Sequence, residues 1–525
     1  MAIMPRFREW TVVQEMTLPL FWVALFCSCG GISFGVDHGY WSGMLGLPKF
    51  KEDFGVWDAQ LGEYTIPSSW QSAGSGTPIA GLAFGAVVSG FIGNRLGRIL
   101  VLKISTVICL IGIAIQAAAI SSYWQIAVGR IVTALALGLL ANTVPMFLAE
   151  MSPLNIRGTM VNCYQFSIGV GAVLINTATW GMHTRTGQWA YRTSIILQAV
   201  IPVFFLVACF FLPESPRWLL SKGRAEEARQ VLINLRTGAG ATAEDIDFEI
   251  QLIMAAEDDN KAQFGSSWLD CFRGTNLRRT LIVMGVQCLQ QAQGSSFIAT
   301  YIVVFFQMIG VKNVYEIMIL FLLTMPVGSA CAFYIPDRFG RRWVMIICAA
   351  IMAVCMFIVA GITGFGLKDN QTAVKGALAA LFLWQFAINI GWSSCVWIVT
   401  AETPTLQLRE KTITIGTFCG FSVSILVTFI NPYMQNPEEG GLEGKVGFVY
   451  GGFSVFALIW SLFFLPETGH RSLEELDELF REKVSVWHFS RYETVGYGSQ
   501  VSKIEDHEKD IDSEKVLPAK VKSLD

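Results

Sequence analysis

Residues 93–120 read GNRLGRILVLKISTVICLIGIAIQAAAI, a short basic turn followed by a long apolar run. Between Ile99 and Ile120 the run contains one charged residue, Lys103, close to one end. A helix that crosses the hydrocarbon core of a bilayer needs about 20 mostly apolar residues. The stretch therefore predicts a membrane-spanning helix that follows a charged turn at the membrane surface.

Similar apolar runs alternate with short polar clusters along most of the chain. The 525 residues are 53% hydrophobic and only 15% charged, with a mean hydropathy of +0.49, whereas soluble proteins carry about 25% charged residues. We predict an all-α membrane protein whose twelve transmembrane helices form two pseudo-symmetric six-helix bundles. The predicted spans, numbered 1 to 12, are 20–46, 67–93, 99–120, 123–149, 159–181, 191–212, 279–309, 314–336, 343–366, 374–401, 411–434 and 446–466.

The longest polar interruption separates two groups of six spans and contains two amphipathic stretches, Arg224–Arg236 and Ala243–Ala256. It predicts a small helical domain on the cytoplasmic side of the membrane. The predicted segments are an N-terminus (1–19), an N-terminal six-helix bundle (20–212), a helical linker domain (213–278), a C-terminal six-helix bundle (279–466) and a tail, disordered towards its end (467–525).

An even number of spans places both termini and the linker on one face. Lys and Arg are in excess on that face, mainly in the linker and tail, which indicates that it is cytoplasmic. Asn370-Gln371-Thr372 forms a glycosylation sequon between spans 9 and 10, on the predicted outer side. We expect a glycosylated plasma-membrane protein, a monomer, with both termini in the cytoplasm.

The two halves repeat the same charged motifs in the same order. Residues 93–98 follow span 2, and residues 337–342 follow span 8. After span 4, Ala149-Glu150 leads to Arg157, and after span 10, Ala401-Glu402 leads to Arg409. Pro213-Glu214 closes span 6, and Pro466-Glu467 closes span 12. Three such repeats in one order indicate a duplicated six-helix unit. Gly97 and Gly340 are expected to permit tight turns beside these charges.

Charges at helix ends stay hydrated at the interface or pair with neighbouring helix ends. We expect the repeated charges to lock the two halves together on the cytoplasmic face while the outer face is open. Ordinary interfacial anchoring of the helices is the alternative. The residues are Arg95, Arg98, Glu150, Arg157, Glu214, Arg217, Asp337, Arg338, Arg341, Glu402, Arg409 and Glu467.

These motifs carry a resemblance to a known family. From about residue 20 to residue 490, the chain resembles the sugar porter family of the major facilitator superfamily. The matching stretches are Pro213-Glu214-Ser215-Pro216-Arg217-Trp218, Pro466-Glu467-Thr468-Gly469, Asp337–Arg342 and Arg157-Gly158. The resemblance implies the major facilitator fold and sugar transport by alternating access, with proton-coupled uptake of a hexose, an α-glucoside or a disaccharide. Residues 431–437 and 475–480 look most like fungal members, nearest to the maltose and α-glucoside permeases.

Two charged residues lie within predicted spans. Asp37 lies in span 1 and Arg130 at the start of span 4, where ionisable groups are costly and are functional candidates by default. The resemblance implies that they form the proton-coupling pair of the symporters, in which Arg130 keeps Asp37 ionised until a proton arrives. Some facilitative members also keep this aspartate. His38 beside it is unusual for the family, and it either tunes the site or lies neutral on the helix surface.

A sugar site needs hydrogen-bonding side chains and an aromatic face. The resemblance implies that Gln165, Gln290, Gln291 and Trp397 bind the sugar, with Phe34 and Tyr301 as aromatic cavity residues. For the glutamines the alternative is hydrogen bonding between helices, to which Gln287 and Gln293 are equally suited.

The chain departs from the family pattern around this site. Ser296, Met325 and Ser424 stand where members often have amides, and span 10 lacks the usual Gly-Pro and its helix break. These departures argue against a standard glucose site and favour a larger or less polar substrate. Asn389 and Trp392 are candidates to compensate in part, and we include Ser296 and Asn389 among the predicted substrate-binding residues.

Other function classes find little support. The sequence has no Walker P-loop, no His-Glu-x-x-His and no Gly-x-Ser-x-Gly motif, and its cysteines lie mostly in apolar runs without metal-ligand spacing. We therefore expect no enzyme activity, no cofactor, no metal site and no nucleic-acid partner. A facilitative sugar transporter, an exporter of a small polar metabolite and a transporter-like nutrient sensor remain as alternatives.

Overall fold

A computed structural model describes most of the chain outside its two ends. It covers residues 16–58, 62–120, 122–152, 156–182, 185, 187–236, 246–247, 250–251, 254, 267–308, 313–364, 370–405, 408–435, 440–469, 471, 473–490 and 492. Most of the predicted stretch Ala243–Ala256 and the end of the tail lie outside the described residues. The backbone of Arg157 is described but its side chain is not.

Helices form nearly all of the described structure. In the first half, spans 1 to 6 are Leu18–Leu45, Ser68–Leu96, Arg98–Ala117, Tyr123–Met151, Arg157–Met182, and the pair Trp189–Leu197 and Val200–Ala208. In the second half, spans 7 to 12 are Gly274–Met308, Val314–Cys331, Arg341–Gly364, Gln371–Glu402, Arg409–Gln435 and Val446–Phe464, spans 7 and 10 each in three pieces. Short helices are Pro48–Phe54, Pro216–Ser221, Ala225–Arg236, Trp268–Phe272, Ile335–Phe339, Glu443–Lys445 and Leu473–Arg481, and strands β1 (Val56–Asp58) and β2 (Glu63–Thr65) form an antiparallel hairpin.

Within the described residues, 11 helices are long and apolar enough to cross a membrane. The twelfth predicted span, span 7, is divided into Gly274–Gln290, a π-helical turn at Gln291–Ser295, and Ser296–Met308. Gly294 in that turn has a φ of 103°, which no continuous α-helix accommodates. Span 7 therefore crosses as two shorter helices, and the structure is consistent with the twelve-helix prediction.

The two bundles meet along several pairs of helices. Span 2 packs against span 11, span 5 packs against span 8, and span 1 packs against the second piece of span 7. Large apolar side chains on the outside remain exposed, as at Phe211 and Phe463, which are 74% and 60% exposed. Helices Pro216–Ser221 and Ala225–Arg236 lie on one side of the bundles, which we call the linker face. We call the opposite side the far face.

Span 10 contains an irregularity that the sequence did not predict. Although it lacks a Gly-Pro break, residues Asn389–Ser393 form a π-helical turn. Gly391 lies so close to Cys348 of span 9 that a Cβ on the glycine would approach the Cys348 sulfur to 2.8 Å. The indole Nε1 of Trp392 donates a hydrogen bond to the carbonyl oxygen of Met345 at 3.0 Å. Packing against span 9 therefore stabilises the turn without a proline.

The repeated glutamates cap helices at equivalent places in the two halves. Glu214 accepts hydrogen bonds from the backbone N–H groups of Arg98 at 2.9 Å and Ile99 at 3.2 Å, at the start of span 3. Glu467 does the same for Arg341 at 2.9 Å and Arg342 at 3.2 Å, at the start of span 9. The first N–H groups of a helix lack partners and attract negative charge. Each carboxylate therefore ties the last span of its half to the third.

Glycine at the capping position makes room for each carboxylate. Gly97 and Gly340 precede the capped helices with φ values of 91° and 86° and ψ values of 166° and 146°. These conformations favour glycine, and a Cβ on Gly97 would approach the Glu214 carboxylate to 2.6 Å. The glycines thus serve the tight turns that the sequence predicts, and they also admit the cap.

Substitution of Gly97 by alanine tests this geometry. We expect Gly97→Ala to lower the free energy of unfolding by roughly 1–3 kcal/mol, because the backbone is strained and the carboxylate is displaced. Thermal denaturation of the purified protein measures the effect. Gly361→Ala in span 9 is the matched control, because nothing lies within 4 Å of its added Cβ. Equal melting temperatures for the two variants would contradict the proposed strain.

Candidate functional site

A cavity of about 140 Å³ lies between the two bundles. Spans 1 and 5 of the first half and spans 7, 8 and 10 of the second half contribute most of its lining. Among the predicted substrate-binding residues, Phe34, Gln165, Gln290, Gln291, Asn389 and Trp397 line it. The structure therefore brings together six of these eight residues from distant parts of the sequence.

The first half contributes one face of span 1 and one face of span 5. Phe34 and His38, one helical turn apart, both line the cavity, and their ring centroids are 5.8 Å apart. On span 5, Gln165 and Asn176 both line it. They are eleven residues apart, close to the 10.8 residues of three helical turns. That period is the signal in the sequence that could have identified Asn176.

In the second half, the predicted glutamines are joined in a chain of hydrogen bonds. Gln290 donates from Nε2 to the carbonyl oxygen of Trp392 at 3.2 Å, across from span 7 to the π turn of span 10. Gln291 donates from Nε2 to Gln290 Oε1 at 3.3 Å. Its own Oε1 accepts from the Ser296 hydroxyl at 2.7 Å. These contacts fix the orientation of both amides at the cavity wall.

Ser296 and Tyr301 lie outside the cavity lining, contrary to the prediction. The Ser296 hydroxyl bonds to Gln291 and lies 2.6 Å from the hydroxyl of Ser424, which lines the cavity instead. The Tyr301 hydroxyl donates to the carbonyl oxygen of Thr428 at 3.2 Å and is buried between spans 7 and 11. The π turn between Gln291 and Ser296 alters the helical register, which sequence spacing alone does not show.

The other two span 7 glutamines fit the structural alternative. Gln287 donates to the hydroxyl of Thr400 in span 10 at 3.1 Å, and Gln293 donates to the backbone oxygen of Leu289 at 3.2 Å. Both are buried, and neither is part of the cavity lining. Gln287 thus connects spans 7 and 10, and Gln293 bonds within span 7.

Asp37 and Arg130 are both buried, at 7% and 6% exposure. Arg130 donates from Nη1 to the carbonyl oxygen of Gly74, and its guanidinium carbon lies 4.0 Å from the ring centroid of Trp41. Among the described ion pairs none joins Asp37 to Arg130, and the Asp37 Oδ1 atom is buried without a hydrogen-bond partner. The structure thus places both residues inside the same bundle but not in direct contact.

A second cavity of about 320 Å³ lies towards the linker face. Glu150, Arg217, Arg409 and Glu410 are among its lining residues. Trp397 lines both cavities, as does Ala141, so these two residues form the boundary between the central site and the linker-face cavity.

One arginine connects the two halves beside this second cavity. Arg98 binds Glu150 of its own half with two hydrogen bonds, from Nη2 at 2.8 Å and from Nε at 3.2 Å. The same Nη2 group reaches Glu410 of the other half at 2.9 Å. The two hydrogen bonds to Glu150 hold the Arg98 guanidinium in the position from which it pairs with Glu410.

The equivalent arginine of the second half forms contacts within its own half. Arg341 pairs with Asp337 at 2.9 Å and with Glu402 at 3.5 Å. Arg95 and Arg338 are exposed at the surface, and Arg338 donates to the hydroxyl of Tyr334. Several of the predicted charged residues therefore form ion pairs, with different partners in the two halves, and their locking role stays a prediction.

In the charge network, the sequence reasoning missed Glu410, which pairs with Arg98. It follows Arg409, whereas the equivalent Arg157 of the first half is followed by Gly158. Comparison of the two halves could therefore have identified Glu410 as an added charge at the start of span 11.

Asn370 has a structural role that is independent of glycosylation. Its side-chain oxygen accepts hydrogen bonds from the backbone N–H groups of Thr372 at 3.0 Å and Ala373 at 3.4 Å. It therefore caps the start of span 10. Glycosylation at this position stays a prediction.

Comparison with known proteins places the chain among transporters. Residues 23–480 match the family model described as Sugar (and other) transporter. The chain belongs to this family. It is 29% identical over 473 residues to the low-affinity glucose transporter HXT1 of Saccharomyces cerevisiae. That alignment covers 87% of this chain and 81% of the relative. It is 31% identical over 477 residues to the major facilitator-type transporter ecdD of Aspergillus rugulosus, with 88% of each protein covered.

A solved structure confirms the fold. The proton:xylose symporter XylE of E. coli, bound to 6-bromo-6-deoxy-D-glucose, matches with a TM-score of 0.75 at 22% identity, covering 88% of this chain and 99% of that one. The prediction of a major facilitator fold is therefore confirmed, and membership of the transporter family makes the chain a multi-pass membrane transporter.

The contact between Arg98 and Glu410 predicts a change in access from the linker face. Removal of this pair in Glu410→Gln is expected to favour separation of the halves there by roughly 1 kcal/mol, or about fivefold. A cysteine introduced at Ile413, which lines the linker-face cavity, should then react about fivefold faster with a membrane-impermeant thiol reagent.

Glu226→Gln is the control for this measurement, because Glu226 is exposed on helix Ala225–Arg236. The control should leave the rate unchanged. Equal reaction rates for Glu410→Gln and the parent protein would contradict a locking role of the pair.

Proposed function

We propose that this protein carries a sugar across a membrane by alternating access. The observation that supports the proposal most directly is the cavity between the halves, in which the amides of Gln165, Gln290 and Gln291 face a common space with Trp397. Amides donate and accept hydrogen bonds as sugar hydroxyls require, and the indole offers an apolar face. We propose the same binding role for Phe34 and Asn389, and an indirect role for Ser296, which orients Gln291.

Contacts between the halves occur on both sides of this cavity. On the far face, the Ser42 hydroxyl accepts from the backbone N–H of Val303 at 3.4 Å, and the Tyr315 hydroxyl donates to the carbonyl oxygen of Gly43 at 3.2 Å. On the linker face, Arg98 binds Glu410. Rocking of one bundle against the other would break one set of contacts while the other set holds, which is the requirement of alternating access.

We propose a hexose-sized ring as the core of the substrate. The relatives reported above include a glucose transporter, and XylE binds a glucose derivative. The narrower placement among maltose and α-glucoside permeases stays a prediction, since neither relative is named for such a substrate. We further propose a plasma-membrane location, a monomeric protein and cytoplasmic termini, in agreement with the distribution of Lys and Arg.

We propose that Asp37 carries the coupling proton. Its buried oxygen without a partner is a position at which protonation relieves an unfavourable charge. Arg130 is already bound by the Gly74 carbonyl and Trp41, so it supplies a fixed positive charge to the same bundle. Facilitated diffusion, export of a small polar metabolite and nutrient sensing are the other functions that this scaffold accommodates.

The first test is uptake of labelled D-glucose, D-fructose, D-xylose and maltose by a transporter-null host that produces this protein. Accumulation above the external concentration that a protonophore abolishes would support a symporter. Uptake only to equilibrium would indicate a facilitator, efflux from preloaded cells an exporter, and no movement of any of the sugars would contradict the proposal.

Asp37→Asn tests the coupling role. We expect proton-driven accumulation in proteoliposomes to fall to the equilibrium level, because the amide cannot take up or release a proton, while exchange of labelled for unlabelled sugar continues. Asp58→Asn in strand β1 is the control and should accumulate sugar normally. Uphill accumulation in Asp37→Asn would remove this residue from the coupling mechanism.

Gln291→Ala tests the binding site. Loss of one or two hydrogen bonds at about 1 kcal/mol each should raise the KM for uptake roughly five- to thirtyfold. Gln287→Ala is the matched control, because Gln287 lies on the same span and bonds to Thr400 outside the cavity. A KM in Gln291→Ala that equals that of the control would exclude Gln291 from the site.

A further inference from the structure

The side of the central cavity formed by spans 7 and 8 is lined mainly by apolar side chains. Five of its lining residues come from the second piece of span 7 and from span 8, which pack against each other. We call them the apolar wall: Ile298, Ile302, Met318, Leu322 and Met325. The first four are at most 7% exposed, so they form a packed surface rather than a mobile one.

Elsewhere around the cavity, four lining residues each keep one polar atom that is buried behind the cavity surface without a protein partner. They are the Tyr164 hydroxyl, Asn176 Oδ1, Trp384 Nε1 and Asn389 Oδ1, all in residues that line the cavity and are at most 2% exposed. Within the part of the chain that the structure describes, none of these atoms has a hydrogen-bond partner. Two accept, one donates, and the phenol does both.

These two surfaces require different things of a ligand. Buried polar atoms without partners are unfavourable, and the amides of Gln165, Gln290 and Gln291 line the cavity surface, so a bound molecule that supplies hydroxyl groups is stabilised there. A hydroxyl turned towards the apolar wall would lose its water and gain no hydrogen bond in return. The preferred ligand therefore carries hydroxyls on one side and an apolar group on the other.

Met325 bears most directly on this difference. It lines the cavity from span 8 beside Pro326, and Gly169 of span 5 packs against both residues. Its thioether side chain presents an apolar surface and at most a weak acceptor to the cavity. A sugar hydroxyl therefore finds no strong hydrogen-bond partner in this side chain.

On the basis of the sugar transport proposed above, we propose that the natural substrate is an amphipathic glycoside. Its sugar ring would meet the amides of Gln165, Gln290 and Gln291, and a small alkyl or similar apolar substituent would lie against the apolar wall. Parent sugars without that substituent would bind more weakly, because one of their polar sides would face the wall.

The test compares two matched pairs of ligands on the purified protein in nanodiscs: D-glucose with propyl β-D-glucopyranoside, and D-xylose with propyl β-D-xylopyranoside. Tryptophan fluorescence reports binding, since Trp384 and Trp397 line the cavity. We expect the propyl glycoside of at least one pair to bind about tenfold or more tightly than its parent sugar, as for apolar groups that fill an apolar pocket.

Two variants locate the effect. Met325→Asn should reduce the preference for the propyl glycoside to about threefold or less, because it introduces a partner for a hydroxyl. Met325→Leu keeps an apolar side chain of similar size and should retain the preference. Thermal denaturation of both variants establishes that they are folded.

The outcomes separate the two proposals. Parent sugars that bind as tightly as their propyl glycosides, or a preference that Met325→Asn leaves unchanged, would overturn the amphipathic substrate while sugar transport stands. Failure of all four ligands to bind the unmodified protein would contradict sugar binding itself, and with it this inference.

Discussion

The hydrocarbon core of a membrane offers no hydrogen-bond partners, and most of this structure follows from that constraint. The spans are helical because helices satisfy their own backbone. Irregular backbone occurs in the π turns of spans 7 and 10, where the neighbouring side chains line the central cavity or pack on span 9. At the membrane surface, Glu214 and Glu467 satisfy the exposed N–H groups at the starts of spans 3 and 9.

The duplicated halves share this architecture but differ where they meet. Glu214 and Glu467 cap equivalent helices with hydrogen bonds of the same lengths. The arginines beside them differ: Arg98 pairs across the halves with Glu410, whereas Arg341 pairs with Asp337 and Glu402 of its own half. Duplication thus accounts for the frame of each bundle, and the added carboxylate of Glu410 accounts for the charged contact that Arg98 makes with the other half. A contact of that kind can break without disturbing the caps that keep each bundle intact.

The central site combines fixed and open hydrogen-bonding groups. Gln290 and Gln291 are held by Trp392, Ser296 and each other, so their amides are oriented before a ligand arrives. Asn389 uses its amide N–H group within span 10 and keeps its oxygen without a partner. On span 1, Phe34 and His38 line the cavity while Asp37 lies among the helices of the same bundle. Binding and proton coupling would thus use neighbouring residues on different faces of one helix.

The sequence alone determined the class of protein, the spans and the duplication, because helix length, apolar composition and repeated motifs are local properties. It also pointed to six cavity residues, four of which (Gln165, Gln290, Gln291 and Trp397) lie in family motifs with fixed spacing. Only the tertiary structure decided that Ser296 and Tyr301 lie away from the cavity, that span 10 is irregular and that Arg98 binds Glu410. A π turn shifts the register of every residue after it, and a contact between halves joins residues more than 300 positions apart. Such outcomes depend on packing between helices, which the spacing of residues along one chain does not record.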